Sequence, residues 1–396
     1  MKRIDIDDLK PGMFVSALID KQQNMSIKQC GVVRSERVIE QLKQRGIQQV
    51  MIEVQPDSQT SKPQTIINPI KKQPNIKRPD LFSDIGEVRK VYDGAIQVQK
   101  NVVHKIHDKK ALDVAEIELV AGQLIAAVIN NKEALWFMTR IRKQDAYLME
   151  HSLNVGIMLG LFAQYLGFEE ALIQDLLLAG FLHDIGKIMI PDKIINKPGP
   201  LNEAEFRIMK GHVVLSREIV ESQYQGLTSI CLTTIIHHHE KVNGGGYPAG
   251  LHDADIPFYG KMISIVDVFD ALTAKRCYKD EITNISALRI LMAESGEAFD
   301  PYLVSQFIKF IGTYPAGTLV EIGGAGLERL ALIESTNKDD PLTPKVKVFY
   351  NTKTKNYIEI ESLDLAASHC HFEIKRAVTP QEFNIDMVEL ALRCLP

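Results

Sequence analysis

The chain has 396 residues, of which 45% are hydrophobic and 24% charged, so it is large enough for two or three globular domains. Its formal net charge of −4 excludes a bulk electrostatic attraction for nucleic acid or for an anionic membrane surface. The 5 cysteines lack CxxC spacing and the first residues are polar, which indicates reduced thiols and no signal peptide and predicts a cytoplasmic protein.

The beginning of the chain predicts a small α+β domain over residues 1–55. A helix is expected from Ser35 to Arg45, and a strand from Gln49 to Val54. Residues 56–80 are rich in Pro, Gln, Ser and Lys and hold few large apolar side chains. Such a segment cannot bury enough surface to offset its ordering entropy, so a linker is expected there.

Residues 81–312 have a helical apolar period and predict an α-helical domain. Their longest apolar stretch, Leu153 to Phe168, contains polar residues and is shorter than the ~20 residues of a membrane span, so no span is expected. Asn202 predicts the start of a helix through a capping box. On that helix Phe206 and His212 are expected to point inward.

Short alternating runs between residues 313 and 396 are separated by Gly, Asn, Asp and Pro. This pattern is typical of a small β-rich appendage. The predicted fold class is therefore mainly α: a helical domain between a small N-terminal α+β domain and a short C-terminal β-rich appendage.

Histidines and aspartates at otherwise apolar helical positions are the main sign of chemistry. Taken alone, His151 is better explained as a buried, hydrogen-bonded histidine, but an unpartnered aspartate such as Asp184 is costly to desolvate. A shared metal centre explains the whole set more simply than separate partners for each. The set comprises His151, His183, Asp184, His212, His238, His239 and Asp267.

The chemistry of this set predicts two divalent ions. Imidazoles with a few carboxylates favour Fe, Mn, Zn, Co or Ni over Mg or Ca. The seven side chains exceed the usual need of one ion and suffice for two that share a carboxylate. Two-metal centres activate water and offset charge in phosphoester hydrolysis, which is the chemistry that this pattern indicates.

Two further features flank these ligands. Lys187 follows Asp184 by three residues and would place a positive charge beside a phosphate if the helix continues past Gly186. Glycines ending at Gly246 tolerate a positive φ and the close approach of a ligand. Tyr247 offers a ring for a base or a hydroxyl for a hydrogen bond. The alternative is a plain loop that braces the end of a helix.

Together these motifs resemble the HD-GYP family, a branch of the HD-domain phosphohydrolases. The resemblance runs from Tyr147 to Tyr302 and rests on the phrases EHSLNVG, HDIGK, HHE, GYP and IVDVFDALTAKRCYK. The beginning of the chain, IDIDDLKPGMFV, resembles a small domain of unknown function that precedes HD-GYP in bacterial proteins.

The resemblance implies a phosphodiesterase that hydrolyses cyclic di-GMP or cyclic GMP-AMP through a metal-bridging hydroxide. Among the metals that the donor set favours, Fe or Mn is expected, with Zn, Co or Ni as alternatives. The resemblance assigns His151, His183, Asp184 and Asp267 to one ion, and His212, His238, His239 and the bridging Asp184 to the other. Substrate contacts are expected from Lys187, Gly246, Tyr247, Arg276 and Lys279, and the catalytic residues are Asp184 and Lys187.

Departures from the family pattern refine this expectation. Tyr147 stands where some members have a glutamate that holds a third metal, which favours two ions here. Cys277 replaces a common proline, and His237 has no family role. Two alternatives stay open: a module that binds a cyclic dinucleotide without hydrolysing it, and an HD hydrolase of another phosphoester. The N-terminal domain is a candidate contact for other signalling proteins, and no DNA partner is expected.

Overall fold

A computed structural model of the chain describes residues 2–6, 9, 14–20, 25–26, 31–32, 39, 43, 47–52, 85–141, 147–224, 226–274, 281–324, 326–337 and 340–394. The chain divides into two compact units, Met1–Ile66 and Ile67–Pro396. The predicted linker, residues 56–80, lies outside the described residues.

The first unit contains an antiparallel sheet with the strand order β1-β5-β2-β3, and β4 pairs with β2. Its strands are β1 (Lys2–Asp5), β2 (Phe14–Asp20), β3 (Met25–Ser26), β4 (Gly31–Val32) and β5 (Ile47–Ile52). The strand predicted from Gln49 to Val54 is β5, which begins and ends two residues earlier. Of the predicted helix Ser35–Arg45, only Ile39 and Lys43 are described, and both are helical.

The second unit is mainly helical, as the sequence predicts. Its described helices are α1 (Ile85–His107), α2 (Val114–Asn130), α3 (Lys132–Met138), α4 (Tyr147–Tyr165), α5 (Glu170–Leu182), α6 (Asp192–Ile195), α7 (Glu203–Lys210), α8 (His212–Gln223), α9 (Ser229–Ile236), α10 (Phe258–Thr273), α11 (Asn284–Ala293), α12 (Pro301–Ile311) and α13 (Met387–Cys394). No single helix among the residues described is long and apolar enough to cross a membrane; α2 and α3 pass that test only as a pair, bent by 119°.

Aromatic side chains from several helices meet at the centre of this unit. The Phe162 ring of α4 lies 5.2 Å from Phe307 of α12, and Phe269 of α10 lies 5.2 Å from the same ring. Trp136 of α3 packs edge-on against Phe310 at 6.1 Å. These contacts fix α4 and α10 against each other, and both helices carry predicted metal ligands.

The capping box predicted at Asn202 is present: its side chain accepts from the Glu205 N–H, and Glu205 accepts from the Asn202 N–H. The prediction of one continuous inward-facing helix is wrong in part. The helix α7 ends at Lys210, and α8 begins at His212 after Gly211. As a consequence His212 is 1% exposed, whereas Phe206 on α7 is 46% exposed.

The C-terminal strands form a second antiparallel sheet of order β10-β6-β7-β8-β9, where the sequence predicts alternating runs. These strands are β6 (Leu319–Gly324), β7 (Leu327–Ser335), β8 (Lys345–Asn351), β9 (Asn356–Asp364) and β10 (Glu373–Ala377). Alternation buries both faces: Leu319 and Leu332 join the helical core, while Val320 and Ala331 join a second apolar cluster. The predicted fold class is confirmed.

Candidate metal centre

The predicted metal ligands converge from five places in the helical unit. His151 lies in α4, the His183–Asp184 pair follows the end of α5, and His212 is the first residue of α8. His238 and His239 follow the end of α9, and Asp267 lies in α10. All are buried except His239, whose side chain is 24% exposed. Residues up to 116 positions apart in the chain, from His151 to Asp267, thus enclose one small polar volume.

A close backbone contact sets the position of His212 relative to Asp184. The turn Ile185–Met189 follows Asp184, and the N–H of Gly186 donates to Ser216 Oγ of α8 at 2.8 Å. A Cβ atom on Gly186 would lie 2.2 Å from the His212 carbonyl oxygen, which no side chain tolerates. Glycine at this position therefore lets the turn rest directly on the first turn of α8.

The helix α1 is hydrogen-bonded to both helices that carry the first ligands. Tyr92 Oη donates to Asn154 Oδ1 at 2.8 Å, one turn beyond His151. Gln99 Nε2 donates to the carbonyl oxygen of Phe181 at 2.9 Å, just before His183. Both contacts are buried, so they fix α4 and α5 with directional bonds as well as with apolar packing.

The ligand atoms form two groups on either side of Asp184. The carboxylate end consists of His151, His183 and Asp267, whose ligand atoms all lie within 4.8 Å of one another. The imidazole end consists of His212, His238 and His239 and meets the same distance limit. These two names are used below for these sets of residues.

The two oxygens of Asp184 face different ends. Oδ2 lies 3.6 Å from His151 Nε2 and 3.4 Å from His183 Nε2, both at the carboxylate end. Oδ1 lies 3.3 Å from His212 Nε2 and 3.9 Å from His238 Nε2, both at the imidazole end. A carboxylate placed in this way can offer one oxygen to each of two cations.

Hydrogen bonds at Nδ1 orient three of the imidazole rings and leave their Nε2 atoms to face the site. Nδ1 of His183, His212 and His238 lies 2.6–2.7 Å from a backbone carbonyl oxygen three residues earlier, so Nδ1 carries the proton in each. Nε2 then carries a lone pair in each ring. The Nε2 atoms of His212 and His238 are 3.4 Å apart. Two acceptors at that distance repel unless a cation lies between them.

Buried atoms without partners indicate the same cation sites. Among the residues that the structure describes, His183 Nε2 and Asp184 Oδ1 are buried and have no hydrogen-bond partner. Such groups are costly in a folded protein unless something satisfies them. Nitrogen donors with two carboxylates match the borderline divalent metals, so the residues present fit the metal that the sequence predicts.

The electrostatics of the two ends differ. Burial opposes charge on His151, but hydrogen bonds to Asp267 and Asp270 outweigh it and raise the pKa of His151 to about 9. Burial and the neighbouring His212 lower the pKa of His239 to about 3. Burial, with the charges of nearby histidines, also lowers the pKa of His238. His238 and His239 are therefore neutral at pH 7, whereas His151 is protonated until a metal displaces that proton.

Lys187 lies beside the bridging carboxylate. Its Nζ is 2.5 Å from Asp184 Oδ2. Burial works against ionisation of Asp184, but the charges of His183 and Lys187 hold the pKa of this carboxyl well below its usual range. The helix does not persist past Asp184, as α5 ends at Leu182, and Lys187 instead reaches the site from the short turn Ile185–Met189.

The glycine-rich loop returns across the imidazole end. The Tyr247 N–H donates to the His239 carbonyl oxygen at 3.1 Å, and the two rings lie 4.7 Å apart. A Cβ on Gly246 would lie 2.3 Å from the Lys241 nitrogen. Gly246 thus lets the loop pack on its own backbone after α9, which is a different reason from the ligand approach that the sequence suggested.

Other predicted residues are placed less fully. Arg276 and Lys279 lie outside the described residues, as does Cys277. Tyr147 is the first residue of α4, and its side chain is not described. Nδ1 of His237 lies 2.7 Å from the Thr233 carbonyl oxygen, and His237 belongs to neither end of the site.

Two residues that support the site were not given roles from the sequence. Asp270 Oδ2 accepts from His151 Nδ1 at 2.7 Å, a carboxylate–histidine pair of the kind that orients metal ligands. Its spacing of one helical turn after Asp267 was a usable signal. Glu240 accepts from the N–H groups of Ala249 and Leu251, at 2.8 and 2.9 Å, and so ties the loop to the end of α9. Its place in the HHE motif gave no hint of these partners.

Comparisons with known proteins match two family models to the chain. Residues 126–303 match the model of the HD domain, and residues 1–117 match a domain of unknown function, DUF3391. A cyclic di-GMP phosphodiesterase of Pseudomonas aeruginosa is 28% identical over 373 residues, covering 92% of this chain and 89% of the relative.

Two further likenesses cover less of the chain or are weaker. A 3'3'-cGAMP-specific phosphodiesterase of Vibrio cholerae is 44% identical over 128 residues, covering 32% of this chain and 24% of that protein. Among solved structures, an HD-GYP-type protein from Bdellovibrio bacteriovorus gives a TM-score of 0.47 at 17% identity, covering 78% of this chain and 99% of its own. Residues 126–303 are therefore an HD domain that contains the HDIGK, HHE and GYP motifs, and a DUF3391 domain begins before it; these findings support the HD-GYP family predicted from the sequence.

Proposed function

We propose that this chain is a phosphodiesterase that hydrolyses a cyclic dinucleotide with two divalent transition-metal ions. Fe or Mn is the proposed metal, and Zn, Co and Ni suit the same nitrogen-rich donor set. The observation that carries the proposal is the position of Asp184, which directs one oxygen to each end of a buried ligand cluster.

The donor set supports hydrolysis rather than binding alone. Two ions in a shared site activate water and offset charge on phosphate oxygens. At the carboxylate end, His151, His183 and Asp267 would hold one ion; at the imidazole end, the three histidines would hold the other. All the predicted ligands are present and brought together, whereas a module that only binds nucleotide has no need of a complete ligand set.

The chain's own groups also suit a phosphodiester. Lys187 lies at the edge of the cluster with its ammonium on Asp184, close enough to move to a phosphate oxygen when metal occupies that carboxylate. Tyr247 presents its ring beside His239. Burial raises the pKa of the Tyr247 hydroxyl, with the nearby Asp267 and Asp184 adding to that shift, so the phenol stays protonated and can donate a hydrogen bond.

The substrate class comes from the relatives. The Pseudomonas aeruginosa relative is named for cyclic di-GMP and the Vibrio cholerae relative for 3'3'-cGAMP. We therefore propose a cyclic dinucleotide, with cyclic di-GMP first because that relative matches most of both chains. Arg276 and Lys279, predicted to bind substrate phosphate, stay predictions.

Product chromatography tests the proposal. Protein reconstituted anaerobically with Mn or Fe is incubated with cyclic di-GMP and with cyclic GMP-AMP, and linear dinucleotides and mononucleotides are separated. We expect turnover of at least one, lost in His238→Ala and kept in His237→Ala, a matched neighbour outside both ends of the site. Tight binding without any product from metal-loaded protein would instead favour the binding module.

A further inference from the structure

The helix α7 places an exposed aromatic ring next to the metal centre. None of the residues of α7, Glu203–Lys210, is buried, so the core does not require a ring there. Phe206 is a large aromatic side chain, and it is 46% exposed. Its ring makes an edge-to-face contact with Tyr247, at 6.2 Å between centroids and 83° between planes.

The contact of Phe206 with Tyr247 continues to the metal ligands. The Tyr247 ring lies 4.7 Å from His239 and 6.4 Å from His212, both at the imidazole end. Phe206, Tyr247 and His239 therefore form a continuous row of rings from solvent to the cluster. A ligand whose phosphate reaches the metals would lay its neighbouring groups along this row.

A cation lies on the same row. Lys210 Nζ is 5.1 Å from the Phe206 centroid and 5.8 Å from the Tyr247 centroid. Within the part of the chain that the structure describes, no carboxylate forms an ion pair with Lys210. An aromatic face with an unneutralised ammonium suits a ligand that is both flat and anionic, which is the chemistry of a nucleotide.

We propose that Phe206, with Lys210 and Tyr247, is the base-binding wall of the site, against which one nucleobase of the cyclic dinucleotide stacks. This rests on the proposed function. Every base has a π face, so stacking here contributes to affinity without selecting the base. Phe206 would therefore serve cyclic di-GMP and cyclic GMP-AMP alike, and discrimination between them would lie elsewhere.

Substitution of exposed residues on one helix tests the proposal without threatening the fold. Phe206→Ala should raise KM for both cyclic dinucleotides about tenfold or more, with kcat and metal content unchanged. Phe206→Trp should keep the KM of the wild type, because it keeps a stacking face. Ile208→Ala is the matched control, as Ile208 is 47% exposed on the same helix. It should change nothing.

Two further measurements separate this proposal from the proposed function. Methyl p-nitrophenyl phosphate, a phosphodiester without a nucleobase, should be hydrolysed equally by wild type and Phe206→Ala. Calorimetric titration with cyclic di-GMP gives Kd whether or not the wild type turns it over, so a loss of affinity in Phe206→Ala supports the wall even if hydrolysis is absent. An unchanged KM and Kd in Phe206→Ala, an equal effect of Ile208→Ala, or an equal loss on methyl p-nitrophenyl phosphate would overturn it.

Discussion

The two ends of the candidate metal centre differ because a carboxylate supports one of the two histidines at the carboxylate end. At the carboxylate end, His151 Nδ1 donates to the Asp270 carboxylate. At the imidazole end, Nδ1 of His212 and His238 bonds to neutral backbone carbonyl oxygens. The pKa of His151 is accordingly raised to about 9, while that of His239, beside other histidines, is lowered to about 3.

The two proposed cation sites of this cluster therefore differ in the charge of their ligands. The carboxylate end supplies negative charge and must release a proton when metal binds. The imidazole end supplies His238 and His239 as neutral donors, since burial lowers the pKa of both. Asp184 belongs to both, since each of its oxygens faces one end.

The largest effect is expected for Asp184→Asn. A carboxamide has no charge and a single oxygen, so it cannot provide an anionic ligand to both ends. We expect both ions to be lost together and activity to fall on the order of 10³-fold or more. Metal analysis and turnover on the same sample measure this. A variant that keeps one tightly bound ion would show that Asp184 serves only one end.

His239→Ala should remove the metal ion at the imidazole end and leave the ion at the carboxylate end. The imidazole end keeps two histidines and Asp184, while the carboxylate end keeps all its ligands. We expect loss of about one ion per chain and of most activity, because the proposed hydrolysis uses both ions. Metal content is compared with that of His237→Ala, which removes a neighbouring histidine outside the site. Loss of both ions in His239→Ala would mean that the ends do not fill independently.

Metal affinity at the carboxylate end should depend on pH. The pKa of His151 lies above its usual 6.5, so the metal-free protein holds a proton there that a metal ion must displace. Affinity should therefore rise about tenfold per pH unit below pH 9, or about a hundredfold from pH 6 to pH 8. His239 should contribute no such dependence in this range, because its pKa is about 3. Calorimetry in buffers of different ionisation enthalpy counts the released proton.

The raised pKa of His151 has the opposite effect on the stability of the metal-free fold, which should fall as the pH rises. A histidine with a raised folded pKa stabilises the fold fully below its unfolded pKa of 6.5. This contribution is lost as the pH rises through about 9. Release of no proton on metal binding, or an affinity at the carboxylate end that does not rise with pH, would contradict the assignment of charge to His151.

Asp270→Asn should have the smallest effect and act at the carboxylate end only. An amide oxygen still accepts from His151 Nδ1 but carries no charge, so affinity at that end should fall about tenfold. The pKa of His151 should also fall, which makes the pH dependence shallower. Asp253→Asn is a suitable control, since that carboxylate bonds Lys261 of α10 at 2.6 Å without contacting a ligand. Comparable losses of metal affinity at both ends in Asp270→Asn would contradict a specific role of Asp270 at the carboxylate end.

The proposed ligands could be selected from the sequence because each belongs to a short motif with an unusual chemical feature. A histidine–aspartate pair closing an apolar helix and a histidine run before glycines can be recognised locally, as can the capping box at Asn202. The fold class followed from periodicity, which changes from helical to alternating after residue 312.

The supporting residues were harder because their partners are distant. Asp270 of α10 contacts His151 of α4, which lies 119 residues earlier in the sequence. This contact exists only in the folded chain, so the sequence alone does not reveal it. Phe206 was expected inside because an apolar residue on an amphipathic helix usually is. The break at Gly211 turns α7 away from the core, and nothing in the spacing of apolar residues marks that break.

Native mass spectrometry of the wild-type chain titrated anaerobically with Mn or Fe tests the central claim most directly. The account predicts a ladder of intact masses that ends at two ions per chain, with the second ion bound at the end that must release a proton. A ladder that ends reproducibly at one ion or at three would contradict a cluster in which two ends share Asp184.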